Sequence, residues 1–144
     1  MAIGASERAG SVGAAVTRNL LTAGFAGEIH LVNRKGGELA GRPVWRSLSE
    51  LLSPPDLAVI MTPAPTVPGL LKELGEKGTK AAVIISAGPG AGPEGREANA
   101  QWRRALLRDA EPHLMRLLGP NCIGYIAPKL GLNASFGPTR VRAG

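Results

Sequence analysis

Residues 2–16, AIGASERAGSVGAAV, decide how this chain is read. The apolar pair Ala2-Ile3 runs straight into a glycine-rich bend. The bend runs into a segment of helical spacing, with Val12, Val16, Leu20 and Ala23 on one face and Gly24 as the stop. Strand, glycine bend and helix in that order make a phosphate-binding loop, because small residues let the backbone approach an anion and the first amides of a helix point at it. The amides of Gly10, Ser11 and Val12, with Gly13 behind them, are placed to take a phosphate without any charged side chain.

Outward from this loop the chain alternates between short apolar runs and helical patterns. EIHLVN (28–33) reads as a second strand, followed by a basic glycine loop, RKGGELAGR (34–42). Ser47 with Glu50 three residues on has the spacing of a capping box, which predicts a short helix. DLAVIMT (56–62), apolar on both faces, reads as a buried third strand. Its crossover helix is TVPGLLKELGEKG, with Thr66 as N-cap and Gly78 as terminator. AAVIIS (81–86) is a fourth strand and AGPGAGPEG (87–95) a long loop. Residues 96–111 form an amphipathic helix with Trp102, Leu106 and Leu107 turned inward, closed by Pro112. MRLLG (115–119) is a fifth strand, and PNCIGYI leaves it.

Strand–helix alternation with short connections predicts an α/β fold: a Rossmann-like, doubly wound, mainly parallel sheet in three layers. Right-handed crossovers gather the loops after the strands on one edge, where such sheets bind their ligands. The last residues, LGLNASFGPTRVRAG, show no periodicity and end in basic residues. That basic end holds no core residue and the segment is read as a linker, so the expected domain spans residues 1–130. Residues 131–144 are then a linker toward a following domain, and the chain reads as a piece of a longer protein.

Composition narrows the partners. The chain has 144 residues, 44% hydrophobic and 19% charged, which fits one globular domain with a single core. It lacks an apolar run near the roughly 18 residues of a membrane span, and its start does not have the form of a secretion signal, so a cytoplasmic protein is expected. The lone Cys122 forms no internal disulfide and no cysteine-based metal site, and no metal is expected. A formal charge of +6 attracts polyanions. With aromatics at only 3%, a base-stacking platform for nucleic acid is disfavoured, and a phosphorylated small molecule fits better.

Which phosphate is decided at the end of the second strand. An NAD site would carry GxGxxG and an acidic residue there to hold the ribose hydroxyl. Here the glycine spacing is stretched, and the position offers Asn33, Arg34 and Lys35. Two basic residues suit a nucleotide with an extra ribose phosphate, either NADP or coenzyme A. Arg34 and Lys35 as an ordinary solvated turn is the plain alternative.

In chain order, IGASERAGSVGAAVTRNLLTAGFAGEIHLVNRK, DLAVIMTPA, AAVIISAG, LLGPNCIGYI and LNASF resemble the CoA-binding domain of ADP-forming acyl-CoA synthetases. The succinyl-CoA synthetase alpha subunit and certain bacterial protein acetyltransferases share that domain. The resemblance runs from Ile3 to about Pro138 and favours coenzyme A, or acetyl-CoA, over NADP. It implies that Gly10, Ser11, Val12 and Gly13 surround the CoA diphosphate and that Lys35 contacts the nucleotide phosphates. Thr62, Pro63 and Ala64 would border the adenine and pantetheine path, Ile85, Ser86 and Ala87 the pantetheine arm, and Asn121 and Cys122 the thiol end. The chain departs from the family after ISAG, where Pro89-Gly90-Ala91-Gly92 stands in place of a bulky or acidic residue.

The resemblance further implies a module that presents the CoA thiol for acyl transfer, with the remaining domains or subunit of a parent synthetase as partners. The phosphohistidine of such enzymes lies in the next domain, so no catalytic residue is assigned. His30 reads as a strand side chain, His113 as a cation at a helix end, Cys122 as a small residue packed inward, and Trp45 and Trp102 as packing residues. Such a fragment would bind without turning over. The rival functions are a nucleotide-sensing regulatory module and a fragment of an NADP-dependent reductase.

Overall fold

The structure, a computed structural model, describes residues 1–138. In chain order its elements are β1 (Ala2–Ile3), α1 (Val12–Thr22), β2 (Leu31–Val32), β3 (Gly37–Leu39), β4 (Arg42–Trp45), β5 (Leu57–Ile60), α2 (Val67–Lys77), β6 (Ala81–Ile84), α3 (Arg96–Ala110), β7 (Arg116–Leu118), β8 (Gly124–Ala127) and β9 (Leu132–Ser135). Strands one to seven form a single sheet in the order β3-β4-β2-β1-β5-β6-β7, parallel throughout except for the antiparallel edge strand β3. This is the expected doubly wound α/β sheet.

β1 occupies the centre although only two of its residues are strand. Both of its edges are bonded: Ala2 N–H donates to the His30 carbonyl at 2.8 Å and Met61 N–H to the Ile3 carbonyl at 2.9 Å. Strand alternation then sends residues to opposite faces. Ala2, Leu31, Val59 and Val83 pack beneath α1, and Ile3, Val32, Ile60 and Ile84 pack against α2 and α3. The chain leaves β1 toward β2 and later crosses back to β5 on the other side of β1, so the direction of winding switches between β1 and β5.

Four expectations are corrected by tertiary context. The basic glycine loop at 34–42 is largely a hairpin, β3–β4, which extends the sheet by two strands. The tail from residue 131 does not begin as a linker: β9 pairs antiparallel with β8, and Ala134 and Ser135 are buried. The Asn19 amide of α1 donates to the carbonyls of Ser135 (2.7 Å) and Gly137 (3.1 Å), which fastens this hairpin over the α1 face. Periodicity missed it because its buried residues, Asn133, Ala134 and Ser135, are polar or small. Residues 139–144 of the expected linker lie outside the described residues.

The third correction concerns caps. Ser47 makes no capping bond; its hydroxyl meets Ser49 while Glu50 accepts from Arg46 N–H at 3.2 Å, and only one 3-10 turn, Leu48–Glu50, forms. Thr66 likewise bonds no helix amide, since a 3-10 turn at Ala64–Thr66 leads into α2. Gly78 does end α2, at φ +100°. Of the face assigned to α3, Trp102 and Leu106 are buried but Leu107 is 54% exposed, and in α1 Val12 points outward while Gly13, Val16, Thr17 and Leu20 face the core.

Candidate functional site

The loop after β1 is held by its own hydrogen bonds. Ser6 Oγ accepts from Arg8 N–H at 3.0 Å, and Ser11 Oγ donates to the Arg8 carbonyl at 2.7 Å while accepting from Ala14 N–H at 3.1 Å. Ser11 is therefore the N-cap of α1. The amides of Val12 and Gly13, at the first two helical positions, have no intrahelical acceptor and carry the positive end of the helix dipole. Gly13 has no room for a side chain, because a Cβ there would run into the Gly4 carbonyl oxygen. Gly10, at φ +76°, faces open space. Glu7 Oε1 accepts from Ala40 N–H at 2.9 Å and ties this loop to the tip of the β3–β4 hairpin.

At the switch between β1 and β5 lies a cavity of about 710 Å³. Gly4, Asn33, Arg34, Arg46, Thr62 and Pro63 line it, with Glu73 of α2 as its acidic residue. Asn33 builds the wall: its amide donates to the Ala5 carbonyl at 3.0 Å, and its Oδ1 accepts from the Lys35 and Gly36 N–H groups, both at 2.9 Å. The side-chain stem of Arg46 lies across Gly36, where a Cβ would strike its Cγ and Nε. Lys35 is exposed and is not among the residues lining this cavity.

The remaining predicted residues sit on the neighbouring strand ends. Ser86 Oγ donates to the Thr62 carbonyl at 2.6 Å, and Asn121, at φ +56°, donates its N–H to the Ser86 carbonyl at 3.1 Å. The loops after β5, β6 and β7 are thus stitched side by side. Ala87 is exposed on this edge, but the side chains of Ile85 and Ala64 are buried in the two cores, so these two residues can meet a ligand only through their backbone. The Ala64 carbonyl accepts from Trp102 Nε1 at 2.8 Å, a buried bond from α3 to the rim of the site. Cys122 packs inward, with Sγ 3.4 Å from the Ile84 carbonyl.

Both histidines lie at the opposite, amino edge of the sheet. His30 precedes β2 and sits 3.3 Å from Glu28, and His113 precedes β7 and packs on Gly75 of α2. Sequence reasoning did not find Arg46 or Glu7, and it named Asn33 at the end of the second strand without its role in the turn. An asparagine two residues before an amide-rich turn is a readable signal for the Asn33 turn. Arg46 reaches the cavity only because β3–β4 folds as a hairpin, and Glu7 finds Ala40 only through that same hairpin.

The family described as CoA binding domain matches residues 1–128. Among curated proteins, the alpha subunit of an ADP-forming acetate–CoA ligase I of Pyrococcus furiosus is 44% identical over 99% of this chain and 31% of its own length. An ADP-forming acetate–CoA ligase I of Archaeoglobus fulgidus is 40% identical over 93% of this chain and 19% of its own length. Among solved structures, a "dinucleotide forming Acetyl-coenzyme A synthetase 1" of Ca. Korarchaeum cryptofilum, in complex with phosphate and ADP, superposes with a TM-score of 0.84. It is 36% identical, over 95% of this chain and 29% of that one. The chain therefore spans about a third or less of the length of these relatives.

Proposed function

We propose, from the premise that this chain belongs to the CoA-binding domain family, that it serves as the coenzyme A site of an ADP-forming acyl-CoA synthetase and presents the thiol to an acyl group activated elsewhere in that protein. The free amides of Val12 and Gly13, with Gly10 and Ser11 in the same loop, receive the diphosphate. The nucleotide end enters the cavity between β1 and β5, past Thr62, Pro63 and the Ala64 backbone, with Lys35 on the exposed loop above it. The pantetheine arm runs along the Ile85 backbone, Ser86 and Ala87 toward Asn121. The site of action is the cytoplasm, and the partners are the remaining domains or subunit of the synthetase rather than a nucleic acid.

The observation that carries this reading is the continuity of the carboxyl edge. A dipole-bearing loop with open space at Gly10 adjoins a cavity with two arginines, and hydrogen bonds join the next three strand ends into one floor. A long ligand with a phosphorylated nucleotide at one end and a neutral arm at the other matches that sequence of surfaces. Among the described residues no helix is long and apolar enough to cross a membrane.

Isothermal calorimetry with CoA, acetyl-CoA and NAD tests the proposal. CoA and acetyl-CoA bind and NAD binds more weakly; heat of binding with NAD and none with CoA overturns it.

A further inference from the structure

The geometry points to Arg46, on the far side of the β3–β4 hairpin, as the residue that reads the ribose phosphate of the nucleotide, with Arg34 as its neighbour and Lys35 left in solvent. The inference rests on the reading above that the cavity between β1 and β5 takes the nucleotide end of CoA.

Arg34 and Arg46 line that cavity and Lys35 does not. Among the described residues, Arg46 has no carboxylate within ion-pairing distance, so its guanidinium is not already engaged. Its position is set from two directions. The backbone N–H of Arg46 donates to Glu50 Oε2 at 3.2 Å, and its side-chain stem crosses Gly36, a residue at φ +65° whose missing Cβ leaves the space that the stem occupies. Lys35 has only its main chain fixed, by the 2.9 Å bond to Asn33 Oδ1. A planar guanidinium offers parallel N–H groups that match two phosphate oxygens, and a seated one loses less freedom on binding than a free ammonium. Glu73 on the α2 wall disfavours a second anionic group there, which confines the phosphate to the β2–β4 side of the cavity.

The test compares CoA with dephospho-CoA, which lacks only the ribose phosphate, by calorimetry on wild type, Arg46→Ala, Arg46→Lys and Lys35→Ala. Arg46 is exposed, so the variants keep the fold, and unfolding midpoints matching wild type verify this. Wild type prefers CoA by about tenfold or more, the size of one charge-assisted contact. Arg46→Ala loses that preference with dephospho-CoA affinity unchanged, Arg46→Lys retains part of it, and Lys35→Ala retains all of it. Full preference in Arg46→Ala, or its loss in Lys35→Ala alone, overturns the inference. So does equal binding of both ligands by wild type, which would leave the CoA reading standing. If wild type binds neither ligand, the CoA reading itself fails, and the inference with it.

Discussion

Gly13 of α1 lies against the carbonyl oxygen of Gly4 so closely that a side chain at position 13 has nowhere to go. An exposed helical glycine replaced by alanine gains about 1 kcal/mol from helix propensity. At position 13 the neighbour is backbone of the central strand end and cannot yield. Gly13→Ala is therefore expected to lose about 1–3 kcal/mol net, as overpacking does. Urea denaturation measures the sign, and a stabilised variant would show that α1 can lift away from β1 freely.

Gly10 gives the opposite outcome. A Cβ there meets nothing within 4 Å, so Gly10→Val has only the left-handed backbone to contend with, a cost of about 1–2 kcal/mol. The open space is where the proposed diphosphate sits. The variant should fold and fail to bind CoA, as read by circular dichroism and calorimetry together; undiminished affinity would move the diphosphate elsewhere.

Ser11 couples the loop to the helix through two bonds from one hydroxyl. Ser11→Ala removes the N-cap and should lower stability by about 1 kcal/mol, with Ser11→Asp largely preserving stability as a capping residue. The aspartate places a negative charge beside the proposed phosphate, so it should restore the melting temperature while weakening CoA binding. A variant that recovers both would dissociate the cap from the ligand site.

Trp102 acts on the site from α3. Trp102→Phe removes the indole donor and leaves the buried Ala64 carbonyl with only the Val67 N–H of its own turn, a loss of about 0.5–1.5 kcal/mol. Since Ala64 belongs to the turn after β5, CoA affinity should fall along with thermal stability. An unchanged melting temperature would mean that the Val67 N–H alone suffices for that carbonyl.

The positions of His30 and His113 at the amino edge of the sheet separate both imidazoles from the proposed CoA thiol path. Incubated alone with acetate, CoA and ATP, residues 1–144 should release no acetyl-CoA. Turnover that disappears on changing either histidine would relocate the chemistry to this chain.

The sequence by itself determined the architecture and the edge on which the candidate site lies. Apolar runs such as Leu57–Ile60 and Ala81–Ile84 are buried on both faces and admit little but central parallel strands, and the glycines of residues 4–13 admit little but a tight loop into a helix. Those signals are local, carried by spacing and by the conformational range of single residues. What only the tertiary structure decided depends on residues far apart in the chain. The tail became β9 because the Asn19 amide holds Ser135 across 116 residues and Ala134 fills the α1 face. The loop at 34–42 became a hairpin because β2 offers β4 a free edge for pairing. Arg46, and not Lys35, joins Arg34 at the cavity because that hairpin returns the chain to the end of β2, and a residue's distance along the sequence does not encode its distance through a sheet.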